Sequence, residues 1–97
     1  MLNPYELQVF LAAAEAENFS AAARKLHLTQ PAVSQQIQVL ERRLQLELFQ
    51  RDGNRITLTE AGQALVPLAR QLVTLSARIE EVTSSFARRP ARLSCGD

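Results

Sequence analysis

The sequence predicts a small, mainly α-helical protein: three short helices, a two-stranded hairpin and then one long helix. Three observations predict it. Apolar residues recur at helical spacing before residue 45 and again after residue 59. Asp52-Gly53, a strong turn pair, separates two short alternating runs. Residues that cap helices (Asn3, Ser20, Thr29 and Thr59) stand immediately ahead of the helical stretches. At 97 residues, 46% hydrophobic and 22% charged, the chain suits one small folded domain with an appendage.

Each element has its own local reasons. Asn3 can cap the first helix, Pro4 suits its first position, and Glu6 completes a capping-box spacing. Leu7, Phe10, Leu11 and Ala14 share its inner face, and the helix is expected to end near Asn18. Ser20 is expected to cap the second helix, Ala21 to Leu26, whose alanines allow another helix to approach closely. His27 falls where the chain must reverse and positive φ is favoured, so it reads as a turn residue. With no second His and no nearby Cys, it has no partners for a metal.

Thr29 caps the third helix, and Pro31 is tolerated in its first turn. At 3.6 residues per turn, Val33, Ile37, Leu40 and Leu44 fall on one stripe, the core face. Burying that stripe supplies about 1.5–3 kcal/mol per side chain. The far side carries Pro31, Ser34, Gln35, Gln38 and Arg42, with Gln30 at the tip. No acidic residue occurs from Asn18 to Leu40.

Residues 48–58 read as the hairpin, either a plain connector or a wing presenting Arg51 and Arg55; beside a helix–turn–helix the wing is favoured. Thr59 caps the long helix and Glu60 complements its dipole, while Pro67 should bend it. Leu65, Leu68, Leu72, Leu75, Ile79, Val82 and Phe86 repeat at alternating intervals of 3 and 4, a heptad stripe. From Thr59 to Ala87 the helix would run about 43 Å, against about 26 Å for a compact head of residues 1–58. The head cannot cover the whole stripe, so a second copy is expected to.

Charge is unevenly spread although the net is only +1. Residues 1–23 sum to −3, residues 24–58 to +3, residues 59–87 to −1 and residues 88–97 to +2. Positive charge gathers around the middle helices and the hairpin, as a polyanionic partner would require. A helix that shows amides and hydroxyls to solvent, with no acid beside them, suits base edges in DNA. On this reading Gln30, Ser34, Gln35 and Gln38 face bases. Arg24, Lys25, Arg42, Arg43, Arg51 and Arg55, together with Thr29 and Asn54, face phosphates or, for the wing, the minor groove.

Other classes find little support. No stretch approaches the roughly 18 apolar residues of a membrane helix, and the first residues lack a signal-peptide pattern, so a cytoplasmic protein is expected. The one cysteine, Cys95, excludes an internal disulfide. No metal-ligand cluster, Gly-rich phosphate loop or nucleophile elbow suggests an enzyme or a bound cofactor. A protein-interaction module built on the heptad helix is the remaining alternative. The third helix argues against it, having no aromatic or aliphatic anchor on its outer face.

Several blocks together resemble the DNA-binding end of LysR-type transcriptional regulators: Asn18-Phe19-Ser20-Ala21-Ala22-Ala23, Thr29-Gln30-Pro31-Ala32-Val33-Ser34, Leu48-Phe49-Gln50-Arg51 and Leu58-Thr59-Glu60-Ala61-Gly62. The resemblance is dense over about the first sixty residues. It implies a winged helix–turn–helix of residues 1–58, with the helix–turn–helix at about 19–38 and the wing at about 48–58. It also implies a linker helix, 59–88, that pairs two copies. Gln30, Pro31, Ser34 and Gln35 would then lie near bases in the major groove, with Arg51 and Arg55 as wing contacts. The partner would be pseudo-palindromic double-stranded DNA, bound by a homodimer. Residues 89–97 look like the start of an effector-binding domain, so the chain reads as a fragment. A small effector would bind outside it, and pairing into tetramers would need the missing part.

Two positions depart from the family's pattern. Gln45 stands where glycine is usual at the end of the third helix, so the left-handed cap is strained by about 1 kcal/mol or the helix ends differently. Gln35 stands where several members carry Arg; an amide can pair bidentately with adenine whereas Arg favours guanine, so the base preference of those members does not carry over to this position.

Overall fold

The computed structural model describes residues 2–53 and 55–87. Its elements are α1 (Pro4–Ala16), α2 (Phe19–Leu26), α3 (Gln30–Leu44), β1 (Phe49–Asp52), β2 (Arg55–Leu58) and α4 (Glu60–Ala87). The strands pair antiparallel, Phe49 with Leu58 through Asp52 with Arg55. Gly53, at φ 65°, supplies the positive dihedral at the hairpin tip. Asn54 and residues 88–97 lie outside the described residues, and so do the expectations placed on Asn54 and on the tail.

Caps fix the helix starts. The Asn3 side chain accepts from Tyr5 N–H at 2.8 Å, and the Glu6 carboxylate accepts from Asn3 N–H, closing the capping box. Thr29 Oγ1 accepts from Ala32 N–H and Thr59 Oγ1 from Gly62 N–H. The second helix corrects the expectation. Asn18 Oδ1, not Ser20, caps it by accepting from Ala21 N–H at 2.9 Å. Starting at Phe19 rather than Ala21 puts that ring in the core as the first helical residue, and Ser20 becomes an exposed helical position. Likewise α1 stops at Ala16, two residues early, because Glu17 turns left-handed at φ 58°.

Three helices therefore end on left-handed residues that are not glycine: Glu17, His27 and Gln45. At His27 and Gln45 the N–H two residues past the helix bonds back across the last turn, Leu28 to Ala23 O and Leu46 to Glu41 O. Of the two outcomes open for Gln45, the left-handed cap is the one adopted. Gln45→Gly should therefore raise stability by about 0.5–1 kcal/mol, read from urea unfolding midpoints at unchanged slope. An unchanged or lowered midpoint would count against strain at this cap.

The core lies where α1, α2, α3, the hairpin and the start of α4 converge. Leu7, Phe10, Val33, Ile37, Leu40 and Leu48 are its largest fully buried residues beside Val9. Of the expected α1 stripe Leu7 and Phe10 are buried and Leu11 and Ala14 half-buried; because α1 touches α2, α3 and α4, Val9, Ala12 and Ala13 are buried as well. A central helix has more than one inner face. Leu44, at the end of the α3 stripe, is only half-buried.

Helix α4 passes through Pro67 without interruption and carries two apolar stripes. Ala61, Leu65, Val66, Ala69 and Val73 pack on the head. Leu68, Leu72, Leu75, Ile79, Val82 and Phe86 are exposed, between 37% and 61%. The two stripes lie roughly 100° apart around the helix axis. Leu65 thus serves the head, and the solvent-facing stripe begins at Leu68. The molecule measures 59 × 25 × 19 Å, a head with a projecting stalk. Among the described residues no helix is long and apolar enough to cross a membrane.

Candidate nucleic-acid interface

Helix α3 is anchored by Val33, Ile37 and Leu40, which turns its opposite side outward. Gln30, Pro31, Gln35, Gln38 and Arg42 are exposed there and Ser34 is half-buried. Thr29 is exposed, but its hydroxyl is occupied as the cap. The wing lies beside this face. One hollow is lined by Asn18, Ser20, Gln30, Arg51 and Gly53, among others, and a second by Gln38, Glu41, Gln50 and Arg51. Arg51 borders both, so the helix face and the wing form one continuous surface.

A carboxylate ties that surface together. Glu41 Oε2 accepts from Leu48 N–H at 2.8 Å and Phe49 N–H at 3.2 Å, joining the end of α3 to the start of β1. The wing is also fixed to the α1 end, where Ile56 N–H donates to Glu17 O and the Arg55 guanidinium meets the Glu17 carboxylate at 3.1 Å. Neither bond is legible in the sequence: Glu17 and Arg55 stand 38 residues apart, and the Glu41 bonds cross from a helix to a strand, so neither leaves a periodic trace.

The expected phosphate-facing cations divide into two groups. Arg43 is paired at 2.6 Å with buried Glu6 and links α3 to α1. Lys25 pairs with Glu15 at 2.6 Å, both well exposed, and its ammonium hydrogen bond holds the Glu15 carboxyl below the usual range. Arg55 is engaged by Glu17 as described. Among the described residues Arg24, Arg42 and Arg51 have no carboxylate within 4 Å. Arg51 instead lies over the Phe19 ring, 5.1 Å from its centroid. No group of three or more metal-ligating side chains occurs among the described residues.

Residues 5–63 match the sequence profile of "Bacterial regulatory helix-turn-helix protein, lysR family". The chain belongs to the lysR family. An HTH-type transcriptional regulator from the ibpB-leuC intergenic region of Azotobacter vinelandii is 51% identical over 69 residues, 71% of this chain and 48% of that protein. Among solved structures, the DNA-binding domain of the regulator CbnR, crystallised with DNA, superposes with TM-score 0.82 at 38% identity. The match covers 90% of this chain and 100% of that one. The BenM DNA-binding domain on benA site 1 DNA superposes with TM-score 0.80 at 30% identity, covering 90% and 98%. This LysR-family chain spans about half the length of the first of these curated relatives and 23–36% of others. Relatives bearing names are transcriptional regulators rather than enzymes, and the winged helix–turn–helix with its long C-terminal helix is the family's DNA-binding fold.

Proposed function

We propose that this chain is the sequence-specific DNA-binding module of a LysR-type transcriptional regulator and that it works as a dimer in the cytoplasm. Helix α3 enters the major groove, with Gln30, Pro31, Ser34, Gln35 and Gln38 near base edges. The wing sets Arg51 and Arg55 against the neighbouring minor groove, and Arg24, Lys25, Thr29 and Arg42 face phosphates; Asn54, expected to join the wing contacts, lies outside the described residues. Arg43 contributes less to this surface, since Glu6 already neutralises it. The observation that carries the reading is the exposed amide face of α3 from Gln30 to Gln38, which holds no acid and lies beside Arg51.

Two copies paired along α4 would present two such faces, so the target is a pseudo-palindrome with half-sites one helical turn, or a multiple of it, apart. The CbnR and BenM complexes with DNA support this reading through their likeness to the chain. The full protein would add an effector-binding domain that takes a small molecule, and assembly into tetramers would depend on that part.

In-vitro selection of bound duplexes at two salt concentrations tests the proposal, and enriched inverted repeats are the expected outcome. On the selected site Gln35→Ala should cost about 1–3 kcal/mol in affinity and little on random DNA. Equal losses on both would remove Gln35 from base readout. Dimers without salt-dependent DNA affinity would favour a protein-interaction module instead.

A further inference from the structure

We infer that Phe19 is a positioning residue for DNA binding, its ring holding the Arg51 guanidinium ready at the junction of α3 and the wing. The inference rests on the DNA-binding reading above. Phe19 is only 7% exposed, yet it is the platform of an exposed cation. Its ring meets Phe49 edge to face at 6.0 Å, and Phe49 in turn packs on Phe10 at 5.6 Å. Phe10 is fully buried, so the platform is fixed through three rings to the centre of the head.

The arrangement has a chemical consequence. A cation held over a ring is attracted through the ring's face and spends none of its N–H donors on a carboxylate. Lys25 and Arg55 spend donors on protein carboxylates, whereas Arg51 has none within 4 Å among the described residues. Arg51 therefore keeps its charge available while losing much of its freedom to swing. A long side chain ordered before binding loses less entropy on binding. Its place bordering the hollows beside Gln30 and Gln38 sets those donors where a phosphate or minor-groove acceptor would pass.

The test is a double-variant cycle on a mixed-sequence duplex of about 30 base pairs, long enough for two half-sites a helical turn apart. It is titrated over a salt series. Arg51→Ala should weaken binding and flatten the plot of log affinity against log salt by about 0.9, one phosphate contact. Phe19→Leu should weaken binding about two- to five-fold, the range of a single exposed cation–π contact. In the Arg51→Ala background Phe19→Leu should add no further loss, whereas with Arg51 in place Phe19→Trp, which keeps an aromatic face, should bind as wild type does.

Because Phe19→Leu also alters the core, a second arm leaves the core intact. Arg51→Lys keeps the charge but replaces the broad, weakly hydrated guanidinium over the ring by a compact, strongly hydrated ammonium, so a two- to five-fold loss at an unchanged salt slope is expected. Losses that multiply in the double variant, or Arg51→Lys binding as tightly as wild type, would overturn the inference. A wild-type chain with no salt-dependent affinity for the duplex would overturn the DNA-binding reading itself, and the inference with it.

Discussion

Gly62→Ala should destabilise the head by about 3 kcal/mol, an overpacking loss combined with a broken hydrogen bond. A Cβ built at Gly62 would lie 2.3 Å from Leu48 O and 2.8 Å from Leu58 Cδ2. The first neighbour is backbone and cannot rotate away. It is also the acceptor for Thr59 N–H, at 3.0 Å, so relieving the clash pulls apart the join between hairpin and α4. The helical dihedrals at Gly62 suit any residue, so the demand is for space alone. Chemical denaturation of wild type and variant measures the effect. A variant within about 0.5 kcal/mol of wild type, the scatter of ordinary surface changes, would show that α4 can shift outward without cost.

The second large effect concerns association. Leu75 and Ile79 are 54% and 58% exposed, so placing Asp at both should leave the head's unfolding transition close to wild type. The pairing proposed above should be lost, because two charges per copy would enter an apolar stripe. Sedimentation should then show monomers at concentrations where wild type is dimeric. Affinity for an inverted repeat should fall about 10²–10⁴-fold toward that of a single half-site, since the second contact is no longer intramolecular. A doubly substituted chain that still sediments as a dimer would place the pairing surface elsewhere.

Much of the molecule was legible in the sequence. The cap at Thr29, the reversal at His27, the buried stripe of α3 and the hairpin at Gly53 all follow from local rules that need only neighbouring residues. The choice between Asn18 and Ser20 as cap did not. Both residue types cap well, and the decision falls to Phe19, which is buried only if the helix starts at the earlier position. Spacing alone puts Leu65 on the heptad stripe. Spacing cannot separate two adjoining apolar stripes until it is known that one already rests on α1. The capping role of Glu6 was legible, but its ion pair with Arg43 and the bonds of Glu17 and Glu41 were the least visible. Each meets its partner through the fold: Arg43 at a separation of 37 residues, Arg55 at 38, and the N–H groups of Leu48 and Phe49 at 7 and 8. Yet Glu6 and Glu17, with Glu15 beside Lys25, decide which of the expected cations are neutralised.

The single carboxylate of Glu41 also limits how the protein can adapt to its target. By gripping the first amides of the wing from the end of the reading helix, it makes the two probes one tool with a fixed jaw width. In the paired arrangement proposed above, an operator whose halves are slightly out of phase cannot be met by reshaping either head. The mismatch passes to the stalks or to the duplex, which must curve or change twist at an elastic cost set by its own sequence. Base pairs that no side chain touches thereby acquire a say in which promoters are occupied.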